Sequence, residues 1–264
     1  MNIELLLYLL MLGAVVGVLA GLLGIGGGLI IVPALLLLLP MAQIDPEIIM
    51  NIALATSLTS IIVSSGSSAL NHLKRGNVDM FAVKWLIPGV VIGGLMGTYV
   101  VEWVPSQYLP HIFGVIVLLL ALQMLLSLKP KTQRSMPSPL KTVGYGAGIG
   151  IISSFAGVGG GSLSVPFLNG HGVEMRRAVG SSSVCGCVIA LAGAVGFIIH
   201  GTGHEHLPPY SLGYIYLPAL AAISVTSMFT TRIGVNLAIR LPTQTLKKIF
   251  AVFLIFVAGT MLLH

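Results

Sequence analysis

Charge is what this sequence has least of. Charged side chains make up 8% of its 264 residues, about a third of the share usual in a soluble domain. Their placement is as informative as their scarcity. None occurs between Glu4 and Asp45, Glu47 and Lys74, Glu102 and Lys129, Lys141 and Glu174, or Arg177 and Glu205. Each gap has room for the ~20 apolar residues that span a bilayer as a helix. With 56% hydrophobic residues and a mean hydropathy of +1.01, the chain has no polar face to dissolve it, which excludes a soluble fold.

Cysteine is nearly absent. Cys185 and Cys187 lie two residues apart in an apolar run, where they cannot easily pair, and read as small packing residues rather than a disulfide framework or a metal site. The spans offer no pair of carboxylates for acid–base work and no Ser-His-Asp set by position, which argues against an enzyme and implies no cofactor. The N-terminus carries Glu4, lacks a basic leader, and runs apolar past Leu23 with no clear cleavage site, so it reads as a retained first helix. The net charge of +6 comes from basic residues scattered between apolar runs. Such residues orient a protein in the bilayer, so they imply no nucleic-acid partner.

Glycine is present in a pattern. Gly24-Ile25-Gly26-Gly27-Gly28, with Pro33 five residues on, recurs 133 residues later as Gly157-Val158-Gly159-Gly160-Gly161 with Pro166 at the same offset. A second match pairs Ala53-Leu54-Ala55-Thr56-Ser57 with Ala178-Val179-Gly180-Ser181-Ser182. A third pairs the segment from Pro105 through Phe113 with that from Pro242 through Phe250. Three matches in one order argue for duplication.

The expected fold is an all-α polytopic membrane protein with two repeats of about five helical elements, each containing a glycine-broken short helix. The first repeat is 1–128, a Pro-, Ser- and Lys-rich linker occupies 129–141, and the second repeat is 142–264. The expected helices are 3–23, 29–39, 48–70, 80–104 and 108–128, then 142–156, 162–168, 178–199, 210–231 and 246–263. If each half crosses an odd number of times the two are inverted, and Lys74, Arg75, the linker, Arg176, Arg177 and the basic residues from Arg232 to Lys248 all share the cytoplasmic side. Both termini then lie outside.

A glycine triplet that opens a short helix within the bilayer leaves free N–H groups at a helix N-terminus, where the positive dipole end favours an anion. Unpaired backbone is tolerated at that depth only where it is buried or lines a cavity, so matched breaks in two inverted halves point to a substrate site. Tight helix packing is the alternative use of the glycines. No βαβ pattern accompanies the run, and Gly-Lys-Ser is missing, which excludes dinucleotide and P-loop readings. Thr56, Ser57, Ser181 and Ser182 place hydroxyls near the starts of the following helices, where they either donate to an oxyanion or bond to helix backbone. Asn51 and Arg177 lie one turn away. His200, His204 and His206, with Glu205, sit among Gly201, Gly203, Pro208 and Pro209, more like an outer loop than a preorganised metal site.

The glycine break, the downstream proline and the Ala-x-x-Ser/Thr-Ser helix start, each found twice, resemble the sulfite exporter TauE/SafE family of bacterial transporters, also called the toluene sulfonate uptake permease family. The likeness covers both halves. It implies a multi-pass protein of the bacterial inner membrane that carries a sulfur-containing anion such as sulfite, a sulfonate or sulfoacetate. The motif falls on Gly24, Gly26, Gly27, Gly28, Pro33, Thr56 and Ser57, then on Gly157, Gly159, Gly160, Gly161, Pro166, Ser181 and Ser182. The second copy has serine where threonine is expected, which keeps the hydroxyl. The leading expectation is a secondary transporter working by alternating access. A passive anion channel is the nearest rival, and a membrane metalloenzyme using the three histidines is the rival of another class. Proton coupling, sodium coupling and assembly into a homo-oligomer stay open.

Overall fold

In the hydrocarbon layer no water satisfies backbone amides, so a chain this apolar has to bond them within each segment, and it does so with helices. A computed structural model of the protein describes residues 3–23, 27–126, 135–204, 206–240 and 243–263. In chain order the helices are α1 (Ile3–Leu23), α2 (Gly28–Leu38), α3 (Pro46–Lys74), α4 (Met80–Trp103), α5 (Leu109–Leu126), α6 (Pro139–Ala156), α7 (Gly161–Gly170), α8 (Met175–Gly201), α9 (Leu217–Arg240) and α10 (Thr243–Leu263). A two-stranded antiparallel hairpin, β1 (Ser211–Leu212) and β2 (Ile215–Tyr216), precedes α9. Among the described residues, α1, α3, α4, α8 and the segment Ser106–Leu126 are long and apolar enough to cross a membrane. The 21 residues of α1 span about 31 Å at 1.5 Å per residue, the thickness of the hydrocarbon core.

Sequence punctuation explains the helix starts. Asp45 and Asp79 cap α3 and α4, accepting from the amides of Glu47 at 2.9 Å and Ala82 at 3.0 Å. Pro46 and Pro139 occupy first helical positions, where a missing N–H costs nothing. Large apolar side chains point outward along the spans, among them Leu7 and Met11 on α1, Leu119 on α5 and Phe256 on α10. In water that surface would drive aggregation, whereas against lipid tails it is the natural exterior.

The helices pair in a crossed manner. α1 packs on α9, α6 on α4, α3 on α8, and α5 on α10. Along α1 and α9 the contacts advance together, Gly13 against Ile223 and Gly17 against Ser227, so the pair is parallel. The same holds for α4 and α6, where Gly89 faces Val143, Gly93 faces Ala147 and Gly97 faces Ser154. α3 and α8 run antiparallel, with Leu58 against Gly193 and Ser68 against Ser183. A β-carbon at Gly13, Gly17, Gly89 or Gly93 would overlap the partner's backbone. Glycine every fourth residue is therefore what lets these helices approach closely. Because the first helix of each half lies on the fourth of the other, residues 1–128 and 142–264 interlock.

One expected element differs. The helix expected from Tyr210 begins only at Leu217, because Pro208 and Pro209 precede a left-handed Tyr210 (φ 66°) and a left-handed Gly213 (φ 55°). These close the hairpin, and a β-carbon at Gly213 would lie 2.6 Å from the Ile198 backbone. The first turn of α8, with Arg177, and the α3–α4 connection, with Asp79, meet at one end of the molecule, where the two side chains approach to 3.6 Å and the Arg177 guanidinium donates to the Val78 carbonyl.

Candidate functional site

The two breaks have the same backbone. Gly27 caps α2 with φ 73° and ψ −11°, and Gly160 caps α7 with φ 68° and ψ −5°. Left-handed φ values of this kind favour glycine. Neither cap has a side-chain hydrogen bond to the helix, so the first-turn amides depend on something other than a capping residue. Pro33 and Pro166 sit inside α2 and α7, where each removes one backbone donor and frees a carbonyl one turn earlier.

The fold brings the breaks together. A β-carbon at Gly28 would collide with the Gly157 carbonyl, and Ile61 of α3 abuts both Gly28 and Gly159. Ser57, fully buried on α3, donates to the Gly157 carbonyl at 2.8 Å and lies 3.5 Å from that of Gly28, bridging the two halves. Gly186 stands as far into α8 as Ser57 does into α3, and its Cα side presses on the Gly159 carbonyl. Thr56 accepts a hydrogen bond from the Tyr216 amide at 3.1 Å, so the β1–β2 hairpin reaches along α3 to the residue beside the breaks.

Other expected site residues lie elsewhere. Gly24 and Gly26 are outside the described residues, as are Glu205, the last two residues of the first repeat and positions 129–134 of the linker. Ser181 accepts from the Asp79 amide at 2.8 Å, which ties the α3–α4 connection to α8; the structure does not bring this hydroxyl to the breaks. Ser182 is buried beside it. Asn51 belongs to a second cluster nearer the start of α3, where its amide donates to Glu102 at 3.4 Å and the Tyr214 hydroxyl donates to the same carboxylate at 3.0 Å. Burial, and then the neighbouring Glu102, push the Tyr214 phenol up to about 12, so at neutral pH it remains a donor.

The histidines do not converge: His200 packs on Tyr99, while His204 lies against His206 and Tyr214. Among the described residues no group of three His, Cys, Asp or Glu side chains is placed to hold a metal ion. A cavity of ≈ 320 Å³ opens at the Arg177 end, lined by Asp79, His171, Glu174 and Arg177 among others, and touches neither break.

Reasoning from the sequence missed Ser153, Ser162 and Ser164, whose hydroxyls are buried around the second break without a partner. The signal was available. At the 133-residue offset these serines correspond to Ala20, Leu29 and Ile31, so aligning the two copies exposes a polar lining in one and an apolar lining in the other.

A polytopic helical protein with two glycine-capped short helices, and a buried serine bridging the two breaks at Gly28 and Gly157, is a membrane protein built around interrupted backbone. The chain matches the family model for the sulfite exporter TauE/SafE over residues 9–261, and it belongs to that family of membrane transporters. It is 43% identical to a probable membrane transporter protein of Haemophilus influenzae, over 96% of this chain and 97% of that one. It is 28% identical to the probable membrane transporter protein YunE of Bacillus subtilis, with 94% of each chain covered. A probable membrane transporter protein of Methanocaldococcus jannaschii is 26% identical over 87% of this chain. No solved structure matches.

Proposed function

We propose that this protein is a secondary transporter of a small sulfur-containing anion of the sulfite, sulfonate or sulfoacetate type, acting in the bacterial inner membrane. The observation that carries the reading is the contact of the two breaks, Gly28 against the Gly157 carbonyl, beside half-helices that open on the left-handed caps Gly27 and Gly160 and whose amide ends suit negative charge. Family membership supplies the solute class. Gly28, Gly157, Gly159 and Gly161 complete the backbone cradle, with Ser57 between its halves.

Inverted repeats fit the packing. The parallel pairs α1–α9 and α4–α6 correspond to each other under exchange of the halves, and the antiparallel pair α3–α8 corresponds to itself. That is the pattern a pseudo-two-fold axis in the membrane plane produces. The meeting of the end of α3 and its connection to α4, which hold Lys74 and Arg75, with the first turn of α8, which holds Arg176 and Arg177, supports a shared cytoplasmic side, with the linker there and both termini outside. Transport proceeds by alternating access, and the hydrogen bond of the β1–β2 hairpin to Thr56 supports a role for the hairpin as the outer gate.

Flux into proteoliposomes tests the reading. Uptake of sulfite, methanesulfonate or sulfoacetate should saturate and should respond to an imposed proton or sodium gradient. Uptake that stays linear with concentration and indifferent to both gradients would identify a channel instead.

A further inference from the structure

The two breaks share their backbone but not their surroundings. A β-carbon at Gly27 would meet Val16 at 2.6 Å and Ala20 at 3.7 Å, and the first turn of α2 carries Leu29 and Ile31, each 1% exposed. The same point at Gly160 lies 3.4 Å from the Ser153 hydroxyl and 3.5 Å from that of Ser164. Ser162 stands in the first turn of α7. Ser153 and Ser164 are 1% and 0% exposed, and the hydroxyl oxygens of all three serines are buried with no hydrogen-bond partner.

Among the described residues Ser211 of β1 and Ser224 of α9 share this condition, but only at the second break do three such hydroxyls gather. Serines and threonines in the spans ordinarily bond back to their own helix, as Thr59, Ser60 and Ser65 do at 2.7–2.8 Å. An unmade buried hydrogen bond costs about 1–3 kcal/mol. Three unmade bonds gathered at one uncapped helix N-terminus call for a ligand rich in acceptors.

We infer that the oxyanion head of the substrate is held at the α7 end alone, by the hydroxyls of Ser153, Ser162 and Ser164 together with the first-turn amides, while the α2 end receives an uncharged, apolar part. This rests on the transporter reading above and narrows it to anions with a single charged head, of which an alkyl sulfonate is the type. A solute with a charge at each end would set one of them among Ala20, Leu29 and Ile31, where the nearby Ser57 hydroxyl already donates to the Gly157 carbonyl.

The test uses the full chain in proteoliposomes with radiolabelled methanesulfonate. Losing one hydrogen bond to a charged group is worth roughly a tenfold change. Ser153→Ala and Ser164→Ala should therefore each raise the apparent KM about tenfold while the maximal rate moves less than twofold. In the unaltered protein, 1,2-ethanedisulfonate should compete at least about tenfold less well than methanesulfonate, a measurement that needs no variant to fold. Unchanged KM in both serine variants, or equal competition by the disulfonate, overturns the inference. Saturable sulfite uptake without methanesulfonate uptake also overturns it but leaves the transporter reading standing, whereas absence of saturable uptake of either anion removes both.

Discussion

Gly27 and Gly160 hold almost the same left-handed backbone, at φ 73° and 68°, yet one is enclosed by Val16 and Ala20 and the other by Ile189 and two serine hydroxyls. The two share one device, a helix start without a side-chain cap, and differ in what surrounds it. On the proposed reading, the backbone determines where an anion can be accepted, and the lining determines which end of the cradle accepts it.

The hardest blow to the comparison is a large side chain at either cap. Gly160→Leu and Gly27→Leu each force a β-branchless but bulky residue into a left-handed φ against Ile189 or Val16, and both should reduce transport to background while the protein still inserts in membranes. Methanesulfonate binding, read as thermal stabilisation of the purified protein, separates them: Gly27→Leu should retain it and Gly160→Leu should lose it. Normal uptake by both variants would sink the broken-helix site.

A smaller effect converts one pole into the other. Ala20→Ser combined with Ile31→Ser copies the lining of the second break onto the first, and competition by 1,2-ethanedisulfonate should improve several-fold relative to the parent. No change would show that the lining does not set selectivity. Thr56→Val removes the acceptor of the Tyr216 amide, a loss of about 1–3 kcal/mol if that amide stays buried. Hydrogen exchange in residues 211–216 should accelerate, with little change in α1. Least disruptive is Ser57→Ala, which deletes the bridge to Gly157 and should lower stability by about 1 kcal/mol, visible as a small drop in the unfolding midpoint.

The helical framework was legible because the signals are physical and local. Charge gaps mark spans, and the glycine triplets mark the two breaks. Even the bounds of α1 and the opening of α4 follow from the residues that flank them. The hairpin at 211–216 was not legible, since its two short strands sit in a run apolar enough to continue a helix, and only the positive φ angles of Tyr210 and Gly213 divert it. Asn51 was drawn toward the site by sequence proximity to Thr56, whereas a bond to Glu102, far along the chain, places it in another cluster. Ser181 was paired with Thr56 and Ser57 by motif, but its partner is the Asp79 amide across a helix interface. Sequence similarity identifies matching residues without fixing how far each lies along its helix.

The crossed pairing of α1 with α9 and of α4 with α6 bears on how the chain is made. α1 enters the bilayer long before α9 leaves the ribosome, and until then its glycine face at Gly13 and Gly17 has no mate. α4 waits only for α6. Synthesis therefore delivers a preassembled α4–α6 core first and locks α1 in place near the end, so late truncations should leave an inserted but loosely held first helix exposed to membrane quality-control proteases.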